Sequence, residues 1–226
     1  MMLRFCSNGG SIPPRTPDLS RVMKGLENQP IKLTIVALSY RGYWTSKGSA
    51  SEKGIRLDAA AALSWIADNY PQASIMLWGQ SIGAGVATMA AVEYPAIARS
   101  STVMPFIDAL ILETPFTSIG DMLTALYPQK WLPYRYLHPF LWSHWDSREA
   151  LQIISQRPKK PKVLILAGER DEVVPAEHAG QLETVCRDGQ IPVTHLTIQG
   201  ALHHEVLMKA QGRNAIVSFL ISLGSG

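Results

Sequence analysis

The stretch Ser74-Ile-Met-Leu-Trp-Gly-Gln-Ser81-Ile-Gly-Ala-Gly85 decides the fold. An apolar run of strand length stops at Gly79. The chain then passes through Gly79-Gln-Ser-Ile-Gly83 into the small helix-forming residues Ala84 to Ala91. This is G-x-S-x-G between a strand and a helix, the setting of a nucleophile elbow. A serine hydroxyl attacks a carbonyl only if it stands clear of its own backbone. A sharp strand-to-helix turn does this at the cost of strained dihedrals. It also brings neighbouring chain so close that glycine is required on either side. The helix that follows aims its first N–H groups, and the positive end of its dipole, at the place where an oxyanion would form. A chance match is the bland alternative, and the flanking strand and helix argue against it.

A nucleophile needs partners, and with this elbow they follow in the order Ser, acid, His. A second apolar run, Lys162-Val-Leu-Ile-Leu-Ala167, ends in Gly168-Glu-Arg-Asp171-Glu-Val-Val-Pro175. Asp171 stands just past a buried strand, between a Gly turn and a Pro, placed to receive a histidine N–H. The alternating run Pro192-Val-Thr-His-Leu-Thr-Ile198 then leads to Gly200-Ala-Leu-His203-His204-Glu205. Loops at the carboxyl ends of parallel strands converge over one crevice. Asp171 could instead be an ordinary turn aspartate. Glu113, at the end of Ala109-Leu-Ile-Leu112, is a rival acid, and Glu169 and Glu172 read as solvated carboxylates. His138, His144, His178 and His195 read as surface or packing residues. His203 is favoured as the base on its Gly-Ala-x-His spacing, with His204 as the alternative.

These motifs, with Ser39-Tyr-Arg-Gly-Tyr43, Ser46-x-Gly48 and Ser51-Glu52-x-Gly54, resemble the α/β hydrolases. More narrowly, they look like the Bem-type subfamily of eukaryotes, related to α/β-hydrolase domain-containing protein thirteen. The blocks Trp78-Gly-Gln-Ser-Ile-Gly83, Glu113-Thr-Pro-Phe-Thr-Ser118, Leu126-Tyr-Pro128 and Leu132-Pro-Tyr-Arg-Tyr136 are similar to that subfamily too. The resemblance runs from about residue 5 to the end. It implies a mostly parallel sheet flanked by helices, a helical lid insertion, and Ser81, Asp171 and His203 as the catalytic triad. Members usually open with a membrane anchor and two strands, then a His-Gly-Asn-Ala-Gly-Ser loop that lends an oxyanion donor. Here the chain opens almost inside the third strand, as if shortened. Cys6 and Ser7 stand at the His and Gly positions, while Asn8, Gly10 and Ser11 match. The expected oxyanion hole is the amide of Ile82 with the amide of Asn8. The two early strands are not encoded, so Leu33–Leu38 is expected as an exposed sheet edge that invites a homodimer.

The rest of the sequence is consistent with this reading. A chain of 226 residues suits a single α/β domain. A net charge of +3 without a long Lys/Arg run gives no reason to expect nucleic acid. Cys6 and Cys186 form neither a disulfide framework nor a metal motif, which fits a reducing, cytoplasmic compartment. There is no secretory leader pattern and no apolar run of membrane-spanning length, although peripheral membrane contact stays open. Leu33–Leu38 reads as a buried parallel strand. Leu57 to Asn69 reads as a helix with a stripe at Leu57, Ala61, Trp65 and Ile66, and 84–94, 176–186 and 210–223 read as further helices.

The strand–helix alternation breaks at 114–157, a stretch carrying Tyr127, Trp131, Tyr134, Tyr136, Phe140, Trp142 and Trp145. This reads as a lid lining an apolar acyl pocket, or as rings that only pack the insertion down. The expectation is a serine hydrolase, needing no cofactor or metal, that cleaves a small-molecule ester, thioester or amide with an apolar acyl group. The alternative is a truncated, non-hydrolytic homologue that binds a ligand or partner.

Overall fold

The computed structural model describes residues 1–7, 10–97 (main chain only at 95–97), 106–126 and 143–224. Six strands, β1 (Met2–Phe5), β2 (Ile35–Leu38), β3 (Ile75–Gln80), β4 (Ile107–Glu113), β5 (Lys162–Gly168) and β6 (Val193–Ile198), form one sheet. All are parallel, in the order β2-β1-β3-β4-β5-β6. Parallel neighbours need crossovers, and these are supplied by α1 (Thr16–Lys24), α2 (Glu52–Asn69), α3 (Ile82–Ile97), α4 (Ile119–Leu126), α5 (Ser147–Ser155) and α6 (Glu177–Asp188). The helix α7 (Ala210–Gly224) closes the described chain.

Side chains alternate across each strand, so one sheet feeds two cores. Leu3, Phe5, Ile75, Leu77, Leu110, Leu112, Val163 and Ile165 face one way, into a core shared with α2, α3, α5 and α6. Met2, Met76, Trp78, Ala109, Ile111, Leu164 and Leu166 face the other, against α1 and α7. Complete burial of each such side chain is worth about 1.5–3 kcal/mol, enough to fix the register.

The chain runs outward from β1 to β2, then returns past β1 to β3 and continues the opposite way. The strand order therefore reverses between β1 and β3. At such a switch point the loops leaving the carboxyl ends diverge and open a crevice. The loop after β1 and the Ser81 turn after β3 flank it.

Several expectations change. Leu33–Leu38 shortens to Ile35–Leu38. It is the sheet edge, paired with β1 alone, and only half-buried. α2 forms where expected, but of the expected stripe only Ile66 is buried. Leu57 and Trp65 are exposed, at 56% and 50%, and the helix buries Ile55, Ala59 and Leu63 along with Ile66. The lid region supplies α4 and α5. Tyr127, Trp131, Tyr134, Tyr136, Phe140, Trp142 and His138 lie outside the described residues. Trp145 is no pocket lining: it is fully buried, and a Cβ on Gly85 of α3 would stand 2.9 Å from its own Cβ. That places it in the core under the insertion. Glu52, at the start of α2, accepts the main-chain N–H groups of His144 and Trp145 and pins this return.

Candidate active site

Ser81 sits between β3 and α3 with φ +55°, in the left-handed region that a serine seldom adopts. The glycines on either side explain how the turn is tolerated. A Cβ on Gly79 would lie 1.9 Å from the Gly83 carbonyl oxygen, and one on Gly83 would lie 2.5 Å from the Phe5 carbonyl oxygen. Neither position admits a side chain. The Ser81 N–H donates to the Glu113 carbonyl at 2.9 Å, and its own carbonyl accepts from Ala84, so strand and helix grip the residue from both sides. Ser81 itself is nearly buried, 9% exposed. Ile82 is the first residue of α3, so its amide belongs to the unsatisfied N–H groups of that helix start.

Asp171 follows β5, and its carboxylate is multiply held. Oδ1 accepts from the amides of Val173 at 2.9 Å and Val174 at 2.7 Å. Both carboxylate oxygens face Nδ1 of His203, at 3.0 and 2.8 Å. Burial alone would raise the Asp171 carboxyl. The hydrogen bonds from His203 and from these two amides outweigh it and hold the group below the ordinary carboxylate range. A ring nitrogen facing a carboxylate carries the proton, which leaves Nε2 of His203 as the free lone pair. His203 is itself buried, at 1% exposure.

The loop after β6 is tied down by three carboxylates, of which Glu169 and Glu172 read from sequence as solvated. Glu172 accepts from the His203 amide at 3.0 Å, Glu169 from Gly200 at 2.7 Å, and Glu205 from Leu202 at 3.2 Å. Charge alone did not reveal these roles. Three acids around a Gly-Ala-Leu-His turn with free amides was the available signal. The tight approach of β5 to this loop needs Gly168, where a Cβ would lie 2.7 Å from the Ala201 carbonyl oxygen.

His204 does not touch Asp171. Its ring packs edge-on to that of His203, with centroids 4.7 Å apart, and Arg15 binds it. Glu113 is equally clear. It is fully buried, with its carboxylate on Arg4 at 3.1 Å, the Trp78 indole N–H at 3.2 Å and the Gln80 amide at 3.0 Å, beneath the elbow. It faces these groups rather than a histidine. Of the remaining histidines, His178 is buried and bonded to Thr117, and His195 pairs with Glu183.

The sheet thus gathers Ser81, Asp171 and His203 at the carboxyl ends of β3, β5 and β6 and joins the last two directly. Among the described residues no hydrogen bond links the Ser81 hydroxyl to His203. Asn8 lies outside the described residues. On the near side of its loop, Tyr40 donates its hydroxyl hydrogen to the Cys6 carbonyl at 3.3 Å. On the far side the Gly10 amide donates to the Ser7 carbonyl. The Ser-Tyr-Arg-Gly motif therefore braces the root of this loop. Among the described residues no cluster of three or more His, Cys, Asp or Glu could hold a metal ion, and no helix is long and apolar enough to cross a membrane.

No protein-family model matches the chain. The protein Bem46 of Schizosaccharomyces pombe is 33% identical over 187 residues, which cover 82% of this chain and 56% of Bem46. The α/β-hydrolase domain-containing protein WAV2 of Arabidopsis thaliana is 33% identical over 191 residues, or 80% of this chain and 56% of WAV2. The lysophosphatidylserine lipase ABHD12 of Danio rerio is 36% identical over 146 residues, or 62% of this chain and 36% of that lipase. The chain therefore spans about half the length of the first two relatives. Among solved structures, the Pyrococcus furiosus esterase Pf2001 superposes with a TM-score of 0.68 at 17% identity, covering 97% of this chain and 81% of the esterase. Esterase 2 of Thermogutta terrifontis gives 0.69 at 17% identity, covering 99% and 83%. With a parallel sheet that these esterases match in shape and a sequence similar to those of Bem46 and WAV2, the chain has the α/β-hydrolase fold and is related to both of these proteins.

Proposed function

We propose that the chain is a serine hydrolase acting on a small acyl substrate. The observation that carries this is the His203–Asp171 pair held at the same end of the sheet as a serine strained to φ +55°. Nε2 of His203 takes the Ser81 proton as Oγ attacks the acyl carbon. The negative oxygen of the tetrahedral intermediate lies toward the Ile82 amide, with the Asn8 amide as second donor. Asp171 stays ionised throughout and stabilises the imidazolium. His203 then gives its proton to the leaving group, and water, activated by the same ring, releases the acid.

The substrate class we favour is an ester with an apolar acyl chain, ahead of a thioester or amide. Relatives described as a lysophosphatidylserine lipase and as esterases, one of them with butyrate bound, support that order. In this reading the whole of 1–226 is one domain, and the lid is the part of 114–157 that precedes Trp145, since Trp145 and α5 belong to the core. The test is fluorophosphonate labelling together with hydrolysis of p-nitrophenyl acetate and butyrate. Wild type should label and turn over, and Ser81→Ala should do neither while keeping its fold. Equal rates in the two proteins would refute the reading.

A further inference from the structure

Arg15 lies on the 3-10 turn Pro13–Arg15, in the loop that leaves β1 and carries Asn8. Its guanidinium reaches a residue 189 positions away. Nη1 donates to the His204 carbonyl oxygen at 3.2 Å, and Nη2 lies 3.2 Å from Nδ1 of the His204 ring. Guanidinium has donors and no acceptor, so Nδ1 of His204 must accept and the ring proton sits on Nε2. That ring packs edge-on against His203 with centroids 4.7 Å apart. His203 in turn meets Asp171. One side chain therefore fastens the loop after β1 to both the main chain and the ring beside the buried histidine.

We infer that Arg15 is a positioning residue for the reaction, docking the His203 loop onto the loop that leaves β1. The inference rests on the proposed roles of Ser81, His203 and Asp171. It gives His204 a task other than base. Its Nδ1 lone pair is already used, and its ring serves as the spacer through which Arg15 bears on His203. The two loops come from opposite sides of the switch point between β1 and β3, and Arg15 joins them through His204. A fork of two parallel donors suits this, since it fixes the direction of the acceptor residue as well as its distance. A lysine would bring the charge without the fork.

The experiment compares Arg15→Ala, Arg15→Lys, His204→Ala and the Arg15→Ala/His204→Ala double variant on a neutral ester such as p-nitrophenyl butyrate. Melting temperatures are measured for all four. Displacing a reacting group by an ångström costs up to about 100-fold, so kcat for Arg15→Ala should fall by about 10- to 100-fold. KM should change little. Arg15→Lys should recover only part of the loss. The double variant should be no slower than the worse single one, because the two residues act as one unit. Free guanidinium at low millimolar concentration should restore part of the Arg15→Ala rate, which a merely structural role would not produce. Full activity in Arg15→Ala, with Ser81→Ala inactive, overturns the clamp and leaves the hydrolase reading intact. So does a loss that tracks the melting temperature, adds to that of His204→Ala and is not rescued. A KM effect confined to anionic esters would make Arg15 a substrate contact and likewise overturn it. An active Ser81→Ala would remove the site reading itself, and the clamp with it.

Discussion

At the scale of single residues, the chemistry turns on which atoms hold protons. Asp171 offers Oδ1 to two main-chain amides and both oxygens to His203. Asp171→Asn can keep the amide bonds through Oδ1. Its NH2 group, however, faces Nδ1 and selects the tautomer with the proton on Nε2, so the base loses its lone pair. Turnover should fall by about 10⁴-fold without loss of fold, as measured by steady-state kinetics and circular dichroism. The same variant carries a pH signature. The folded carboxyl is held below its ordinary value, so its contribution to stability is present above the unfolded pKa of about 4 and is lost as pH falls through the folded value. The stability gap between wild type and Asp171→Asn should therefore close on acidification below that range. A gap that widens there would contradict the hydrogen-bond account. His203→Ala should cost several orders of magnitude in kcat, and His204→Ala far less, since of the two it is His203 whose ring meets a carboxylate. The reverse ranking would move the base. The places of Ser81, Asp171 and His203 after three strands were legible in the sequence, because each follows a strand-length run at a turn. Arg15 was not, because what singles it out is a contact across 189 positions, and a lone arginine after two prolines carries no local pattern.

Elements show where a pattern in sequence is enough and where packing decides. α2 was legible as a helix from its spacing, but the apolar residues that caught the eye, Leu57 and Trp65, are on the outer face. Its buried row is the smaller set Ile55, Ala59, Leu63 and Ile66, because the neighbouring α3, rich in Ala and Gly, admits close approach. α1 escaped notice because its residues are mostly polar and it starts after Pro13-Pro14, where only Leu19 and Val22 mark an apolar face. Trp145 read as lid and is core, since an aromatic in an insertion looks the same from sequence whichever way it points. Trp145→Ala should remove about 3–5 kcal/mol of stability, a cost typical of emptying a large buried ring site. A melt would show this, and ester chain-length preference should stay as it is. The elbow glycines give a sharper contrast. Gly83→Ala forces a Cβ to 2.5 Å from the Phe5 carbonyl oxygen, so β1 and α3 must part and fluorophosphonate labelling should fall with stability. Gly180→Ala, inside α6 with nothing within 4 Å of the new Cβ, should stabilise the protein by about 0.5–1 kcal/mol and leave labelling unchanged.

At the scale of the whole molecule, the sheet ends at β2 among the described residues, and no described strand pairs with its outer side. The direction of each main-chain group follows from the register. The Met2 amide donates to the Thr34 carbonyl, and Met2 pairs with Ile35, so Thr34, Val36 and Leu38 turn toward β1. Ile35 and Ala37 therefore present their N–H and C=O groups outward. A row of unpaired groups on an apolar strand is a template for a second strand. The strand is only four residues long and follows Lys32, and both features limit how firmly it can pair. Association should thus be real but weak. We expect a concentration-dependent dimer at tens of micromolar by size-exclusion chromatography with light scattering. Ala37→Pro should abolish it, because proline removes an outward N–H without touching the ladder to β1, and an edge strand tolerates it there. The variant should melt at nearly the wild-type temperature and label with fluorophosphonate as the wild type does, since β1 lies between Ala37 and the strand that leads to Ser81. A wild-type chain that stays monomeric across that range, with a cooperative melt, would show that four residues and a flanking lysine are protection enough. A dimer that survives Ala37→Pro would place the contact elsewhere, with the exposed Leu57 and Trp65 face of α2 the next surface to change.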